Sequence, residues 1–341
     1  MRSVVTTGNA RPRRRETSQR LQQPTRVAYR RVAGSRRTVT CVNALWNQWR
    51  KQLSYASVPS RSMTMTQLGL SPLLLAQLRG VLTPVARHCV GISLGGAATR
   101  PTESFLSGHP YLPPGVGWPE GIDGPQLFVG QLNFADFAAP AGFPRSGLLQ
   151  WFVGADSSWG LDSASAFGAA GFTVRWYADP VEVGSPPPDS PTPNDAYDEL
   201  PMEFVGPTLL DFGPAISTPG WDELPAEIRD NSVWAQLALA LGEPDCDPGF
   251  LYEEYLRGSN GPLHDHRAGS KIGGYPSFAT ADPRGSGAYP SPDTGHSELI
   301  IELDSLDVGG WRDCGIAHLF GDPTSIAAGD LSSVRYHWDC L

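Results

Sequence analysis

Apolar and polar positions along the chain follow two rhythms. After Ser71-Pro72, the run LLLAQLRGVLTPVARH repeats its apolar residues at helical spacing, which puts Leu74, Leu78, Val81 and Val85 on one face. A serine in the N-cap place and a proline at the first helical position, where no N–H is needed, predict a packing helix that starts there. Further on the period shortens to two. In FTVRWY, Phe172, Val174 and Trp176 alternate with Thr173, Arg175 and Tyr177, and in ELIIEL, Leu299, Ile301 and Leu303 alternate more loosely with Glu298, Ile300 and Glu302. Such alternation predicts antiparallel strands with one dry face. QLFVGQLNF (126–134) and GLLQWFVG (147–154) are also short, aromatic and strand-like. A second helical region is expected over Pro225–Leu241, with Val233, Leu237 and Leu241 on one face.

Between these elements the punctuation is dense in proline and glycine. GHPYLPPGVGWPE (108–120) is neither helix nor central strand, because proline lacks an N–H and glycine loosens the backbone. SPPPDSPTPND, inside residues 179–201, reads as a surface loop or linker. The phrases also recur in order. SGHPYLP (107–113), QLFVGQLNFADF (126–137) and GLLQWFVGAD (147–156) are echoed by IGGYPSF (272–278), SELIIELDSLDV (297–308) and GIAHLFGDP (315–323). Two copies of one β unit facing each other across a shared core would produce this order. The first repeat spans about 93–178, residues 179–201 link the copies, and the second half spans about 202–341.

Charge divides the chain differently. Residues 1–62 carry thirteen Arg and one Lys against Glu16, a net of +13, so the remaining 279 residues hold 12 basic and 34 acidic groups for a net of −22. The leader is either an Arg-rich disordered arm, a transit peptide, or an upstream extension with translation starting at Met63 or Met65. The last reading is favoured because the helix signal begins just past those methionines. A domain this acidic repels nucleic acid, and suits a basic partner or simply keeps the chain in solution. No run of about 18 apolar residues spans a membrane. Five scattered cysteines without a C-x-x-C pair point to reduced thiols in the cytoplasm and to no zinc site.

SGHPYLPPGVGWP, LFVGQLNF followed by GLLQWF, KIGGYPSFATADPR, and WRDCGIAHLF with AAGDLSS together resemble the YwqG-like proteins, a bacterial domain of unknown function, from about Ser93 to Leu341. The resemblance implies a β-rich, internally duplicated fold with no established catalytic activity. Where that family usually has a Gln after the second Gly-x-Pro turn, this chain has Thr280.

Four patterns bear on chemistry. GISLGG (91–96) fits G-x-S-x-G with Ser93 as nucleophile, but the helix signal precedes it and Pro101 follows closely, so a glycine-bearing strand is favoured over a serine hydrolase. His264 and His266 share a face if extended, but read as surface histidines in a loop. Glu253 with Glu254, Asp304 with Asp307, and Asp313 with Asp330 are acid pairs that divide into acid and base only if their surroundings separate their pKa values. Tyr111, Trp118 and Tyr275 in rigid loops either line a ligand groove or plug the sheet ends. His109, Gln131, Trp151 and Asp313, from the same phrases, join that groove, with Lys271 and Arg284 as its nearest cations, fixing an anion or pairing with acids.

The expected fold is therefore α+β, mainly β: duplicated antiparallel units in one domain with packing helices, behind a leader. The expected function is non-catalytic recognition of a basic protein, as an inhibitor or immunity-type partner, without cofactor or metal. The alternatives are a small-ligand binder or enzyme using a groove between the repeats, and a hydrolase through Ser93.

Overall fold

Ser71 opens the first helix as the pattern predicts. Its Oγ accepts the Leu74 amide at 3.2 Å, and α1 runs Pro72–Leu82 with Leu74, Leu75, Leu78 and Leu82 buried. A short 3-10 turn at Thr83–Val85 ends it, where Pro84 supplies no amide to continue the ladder. The computed structural model describes residues 70–341 apart from 123, 162–170, 182–200, 202–205, 253–268, 286–290, 292–296, 313 and 341. These residues fall within one compact unit, Val58–Leu341.

The strands are β1 (Arg87–Ala97), β2 (Phe105–Leu106), β3 (Glu120–Gly121), β4 (Gly124–Pro125), β5 (Leu127–Asn133), β6 (Leu148–Val153), β7 (Phe172–Tyr177), β8 (Thr208–Ser217), β9 (Lys271–Ile272), β10 (Glu298–Asp304), β11 (Ile316–Gly321) and β12 (Arg335–Asp339). Apart from the β3-β4 pair, they form one 10-stranded antiparallel sheet in the order β12-β11-β10-β9-β1-β8-β2-β5-β6-β7.

Read outward from its centre, this order is the same list twice. β8-β2-β5-β6-β7 matches β1-β9-β10-β11-β12, and the match extends to single hydrogen bonds. Ile92 N–H donates to Ser270 O at 2.9 Å, and Leu210 N–H donates to Ser104 O at 3.0 Å. Ile92 and Leu210 are therefore equivalent, and the pair between them, Ser93 opposite Asp211, lies at the local two-fold. Both halves carry a register shift at the same place, between Phe128 and Gly130 in β5 and between Leu299 and Ile301 in β10. The extra residue of each bulge, Val129 or Ile300, is buried, which explains why the alternation in ELIIEL is loose.

The lead strands are exchanged. β1 precedes the first copy in the chain but pairs with β9 of the second, while β8 precedes the second copy and pairs with β2 of the first. The two halves then share one core. Trp151 on β6 meets Tyr336 on β12 at 5.5 Å between ring centroids, and Phe172 on β7 meets the same ring at 5.6 Å. Phe172, Val174 and Trp176 pack on this core, but all six residues of β7 are half-buried, because Arg175 and Tyr177 on the other face pack on Phe152 and Tyr111.

A second apolar cluster joins α1 to α2 (Ala226–Arg229), α3 (Val233–Ala240) and α4 (Pro248–Leu251) around Trp234 and Tyr252. The single helix expected over Pro225–Leu241 is thus two. Asp230 caps α2, and the Asn231 side chain accepts the Val233 amide at 3.0 Å to begin α3, so the backbone turns between them. Two short helices complete the fold, α5 (Ser305–Val308) and α6 (Pro323–Ala327). No helix among the described residues is long and apolar enough to cross a membrane.

Candidate functional site

Each copy folds a glycine turn back over the outer face of its own half-sheet. Ser107 and Gly108 enter the first turn at φ 62° and 75°, and Gly273 and Gly274 enter the second at 71° and 79°. A left-handed pair reverses the chain directly after β2 or β9, and glycine takes that conformation without strain. The turn then crosses two polar side chains that rise from neighbouring strands.

In the first copy these are Gln131 on β5 and Gln150 on β6, which the register places opposite each other. Gln131 Oε1 accepts the Tyr111 N–H at 3.0 Å, and Gln150 Nε2 donates to Tyr111 O at 2.6 Å. Gln131 Nε2 also donates to Pro101 O and Glu103 O, both at 2.8 Å. Buried backbone groups that would otherwise lack partners are satisfied by two neutral amides.

In the second copy the same places hold Glu302 on β10 and His318 on β11. Glu302 Oε2 accepts the Ser277 N–H at 2.7 Å, and His318 Nε2–H donates to Ser277 O at 2.7 Å. Lys271, opposite Glu302 on β9, binds Glu302 Oε1 and donates to Gly269 O at 3.3 Å. Lys271, Glu302 and His318 are all 0% exposed. Burial opposes the Glu302 charge, but the Lys271 ammonium and the His318 N–H more than offset it and hold the carboxyl below its ordinary value. The next rung, His337 on β12, lies 5.6 Å from the His318 ring, and burial followed by the His318 charge lowers its pKa to about 4.

The ends of the two strands are also matched. Ser104 N–H donates to Asp136 Oδ2 at 2.9 Å and Ser270 N–H to Asp307 Oδ2 at 2.6 Å. Asn133 and Asp304 close these loops, accepting the amides of Ala135 and Leu306 at 3.0 and 2.9 Å. Burial, aided by Asp307 and Glu302 and opposed by the Leu306 N–H, raises Asp304 to about 6. The Asp304 and Asp307 carboxyls thus cap loops. Asp330 is exposed, and the Ser332 hydroxyl, followed by the Ser332 amide that it accepts at 2.9 Å, lowers its pKa.

The described residues expected to share a groove are distributed over several separate environments. Tyr111 and Gln131 meet in the first clamp, with the Tyr111 ring edge-on to Tyr177 at 5.2 Å. Trp118 packs edge-on against Phe152 at 5.7 Å and donates to Gln126 O, while His109 is exposed on the turn. Trp151 faces the shared core, stacked on Trp311 at 5.7 Å. Lys271 sits in the second clamp. Tyr275 lies beside it, its N–H donated to Ser217 Oγ at 2.9 Å and its ring under the Arg87 guanidinium at 4.4 Å. Arg284 pairs with Asp282 at 2.6 Å and Glu223 at 3.2 Å. Thr280 donates through its N–H and Oγ1 to Asp339 Oδ2 at 2.6 and 2.8 Å.

Ser93 lies inside β1 opposite Asp211, so the strand-to-helix turn that lifts a nucleophilic serine is not formed there. His264, His266, Glu253, Glu254 and Asp313 lie outside the described residues. Among the described residues, no three His, Cys, Asp or Glu side chains are grouped to hold a metal. Glu302, His318 and Gln150 were not singled out by motif. Their signal was positional: Gln131 and Glu302 stand sixth in QLFVGQLNFADF and SELIIELDSLDV, and Gln150 and His318 stand fourth in GLLQWFVGAD and GIAHLFGDP.

Fold and clamps together define a class: a mainly β protein whose large sheet is two copies of one unit with exchanged lead strands, each copy tying down its own glycine turn. The family described as "Domain of unknown function (DUF1963)" matches residues 104–340, and the chain belongs to it. β1 precedes the matched span although it lies at the centre of the sheet. No curated protein matches the chain.

Proposed function

We propose that this protein is a non-catalytic binding protein that recognises a basic protein partner, in the manner of an inhibitor or immunity protein, and that it works in the cytoplasm. Within its family we place it with the YwqG-like members, on the ordered phrases from SGHPYLPPGVGWP to AAGDLSS.

The observation that carries the partner reading is the net charge of −22 on residues 63–341, the difference between 12 basic and 34 acidic groups. A field of one sign steers an oppositely charged partner and accelerates encounter. Asp222, Glu227, Asp230, Asp245 and Asp247 are exposed on the helical segments, where Arg229 is the only Lys or Arg from 222 to 247. The five cysteines are scattered along the chain without a C-x-x-C pair, which suits a reducing compartment.

The test is affinity capture with the full chain from its source cell, followed by binding of the recovered protein in purified form. Affinity should fall roughly tenfold or more between low and high salt, and fall again in Glu227→Lys/Asp230→Lys. Recovery of no protein, alongside a metabolite that raises the melting temperature, would replace this reading with that of a small-ligand binder.

A further inference from the structure

The two clamps match in position and differ in proton chemistry. Gln131 and Gln150 do not titrate, and the residue opposite Gln131 on β2 is Phe105. In the second copy the register runs Lys271, Glu302, His318, His337 across four neighbouring strands. Arg175 takes the place of His337 in the first half.

We propose that the second turn, from Gly273 to Thr280, is an acid-released latch: proton uptake by Glu302 and His337, which flank His318, frees Ser277 and Thr280 from the sheet while the first turn stays closed. Tyr275 rests on the neutral Ser217 hydroxyl, but Ser277 and Thr280 are held by this row and by the carboxylate at its end. The Ser277 amide rests on the Glu302 carboxylate, its carbonyl on the His318 Nε2–H, and Thr280 on the Asp339 carboxylate. A protonated Glu302 loses acceptor capacity and its attraction to Lys271 together. A charged His337 places a cation beside His318 in a site that also holds the Phe278 ring, 5.9 Å away.

The charged and titratable surroundings set the direction. Lys271 faces the row from β9, Asp304 and then Asp307 from β10 and α5, Asp282 and Arg284 from the loop after the turn, and Asp339 from β12 itself. His337 ordinarily titrates near 6.5 and in the closed form near 4, so an open form binds the proton more readily across that window and falling pH favours opening. Glu302 acts in the same direction below its ordinary 4.5. Asp304, at about 6, titrates in the opposite sense, but its carboxylate caps α5 and does not touch the turn. Release uncovers Phe278, whose ring packs 4.8 Å from His318 and 6.3 Å from Phe320.

Amide hydrogen exchange of the full chain at about pH 7.5 and about pH 4.5, corrected for intrinsic rates, tests the latch. Protection of Ser277 to Thr280 should fall roughly tenfold relative to Tyr111 on acidification. Lys271→Phe/Glu302→Gln/His318→Gln, which writes the first clamp into the second, should remove that difference. His337→Gln, which leaves the buried ion pair in place, should reduce it. Equal loss in both turns, or retained protection of Ser277 at the lower pH, overturns the proposal. Should the triple variant not fold, the wild-type comparison and His337→Gln decide it.

Discussion

Gln131 on β5 and Glu302 on β10 hold the same place in the two halves of one sheet, and each accepts the amide of the turn residue above it, Tyr111 at 3.0 Å and Ser277 at 2.7 Å. One does so as a neutral amide and the other as an ion. A lone buried carboxylate is strongly unfavourable, so Glu302 is tied to Lys271, for which the first copy has Phe105.

Breaking that pair from one side should be far worse than replacing it whole. Glu302→Gln leaves the Lys271 ammonium buried against an amide and is expected to destabilise the fold by about 3–5 kcal/mol. The triple replacement by the first copy's residues should come within about 2 kcal/mol of the wild type. Denaturant unfolding near neutral pH measures both, and a single variant as stable as the wild type would mean that the pair is not charged in the fold.

Asp304→Asn should stabilise the protein, and only at the alkaline side. The folded carboxyl titrates at about 6 and the ordinary one at 3.8, so its favourable contribution is present below 3.8 and lost as pH rises through 6. Asparagine keeps an acceptor for the Leu306 amide, as Asn133 does for Ala135 in the first copy. A gain on the order of 1–3 kcal/mol near pH 8, vanishing toward pH 4, is the expected result of unfolding followed against pH.

The glycines of the turns separate close approach from dihedral strain. A Cβ at Gly108 would lie 2.7 Å from Pro207 N, and one at Gly274 would lie 2.7 Å from Ser217 Cβ. Gly115 also has a positive φ, 82°, but nothing within 4 Å. Gly115→Ala should cost about 1 kcal/mol, and Gly108→Ala or Gly274→Ala clearly more, seen as larger drops in melting temperature.

By itself the sequence determined the local elements and the doubling. Ser71 and Pro72 start α1 because capping is a short-range hydrogen bond, and FTVRWY is legible as a strand because strand side chains alternate. The paired phrases carry the duplication because both copies must make the same turn, bulge and strand end. Only the tertiary structure decided that β1 and β8 change places, since strand pairing joins residues more than a hundred positions apart and leaves no periodicity in either strand. For the same reason Lys271 could be read as a groove cation: its counter-ion, Glu302, is 31 residues away and meets it only through the β9-β10 pairing. Trp151 and Gln150 are neighbours in sequence yet serve opposite faces of the sheet, one in the shared core and one in the clamp, because the pleat turns adjacent side chains apart.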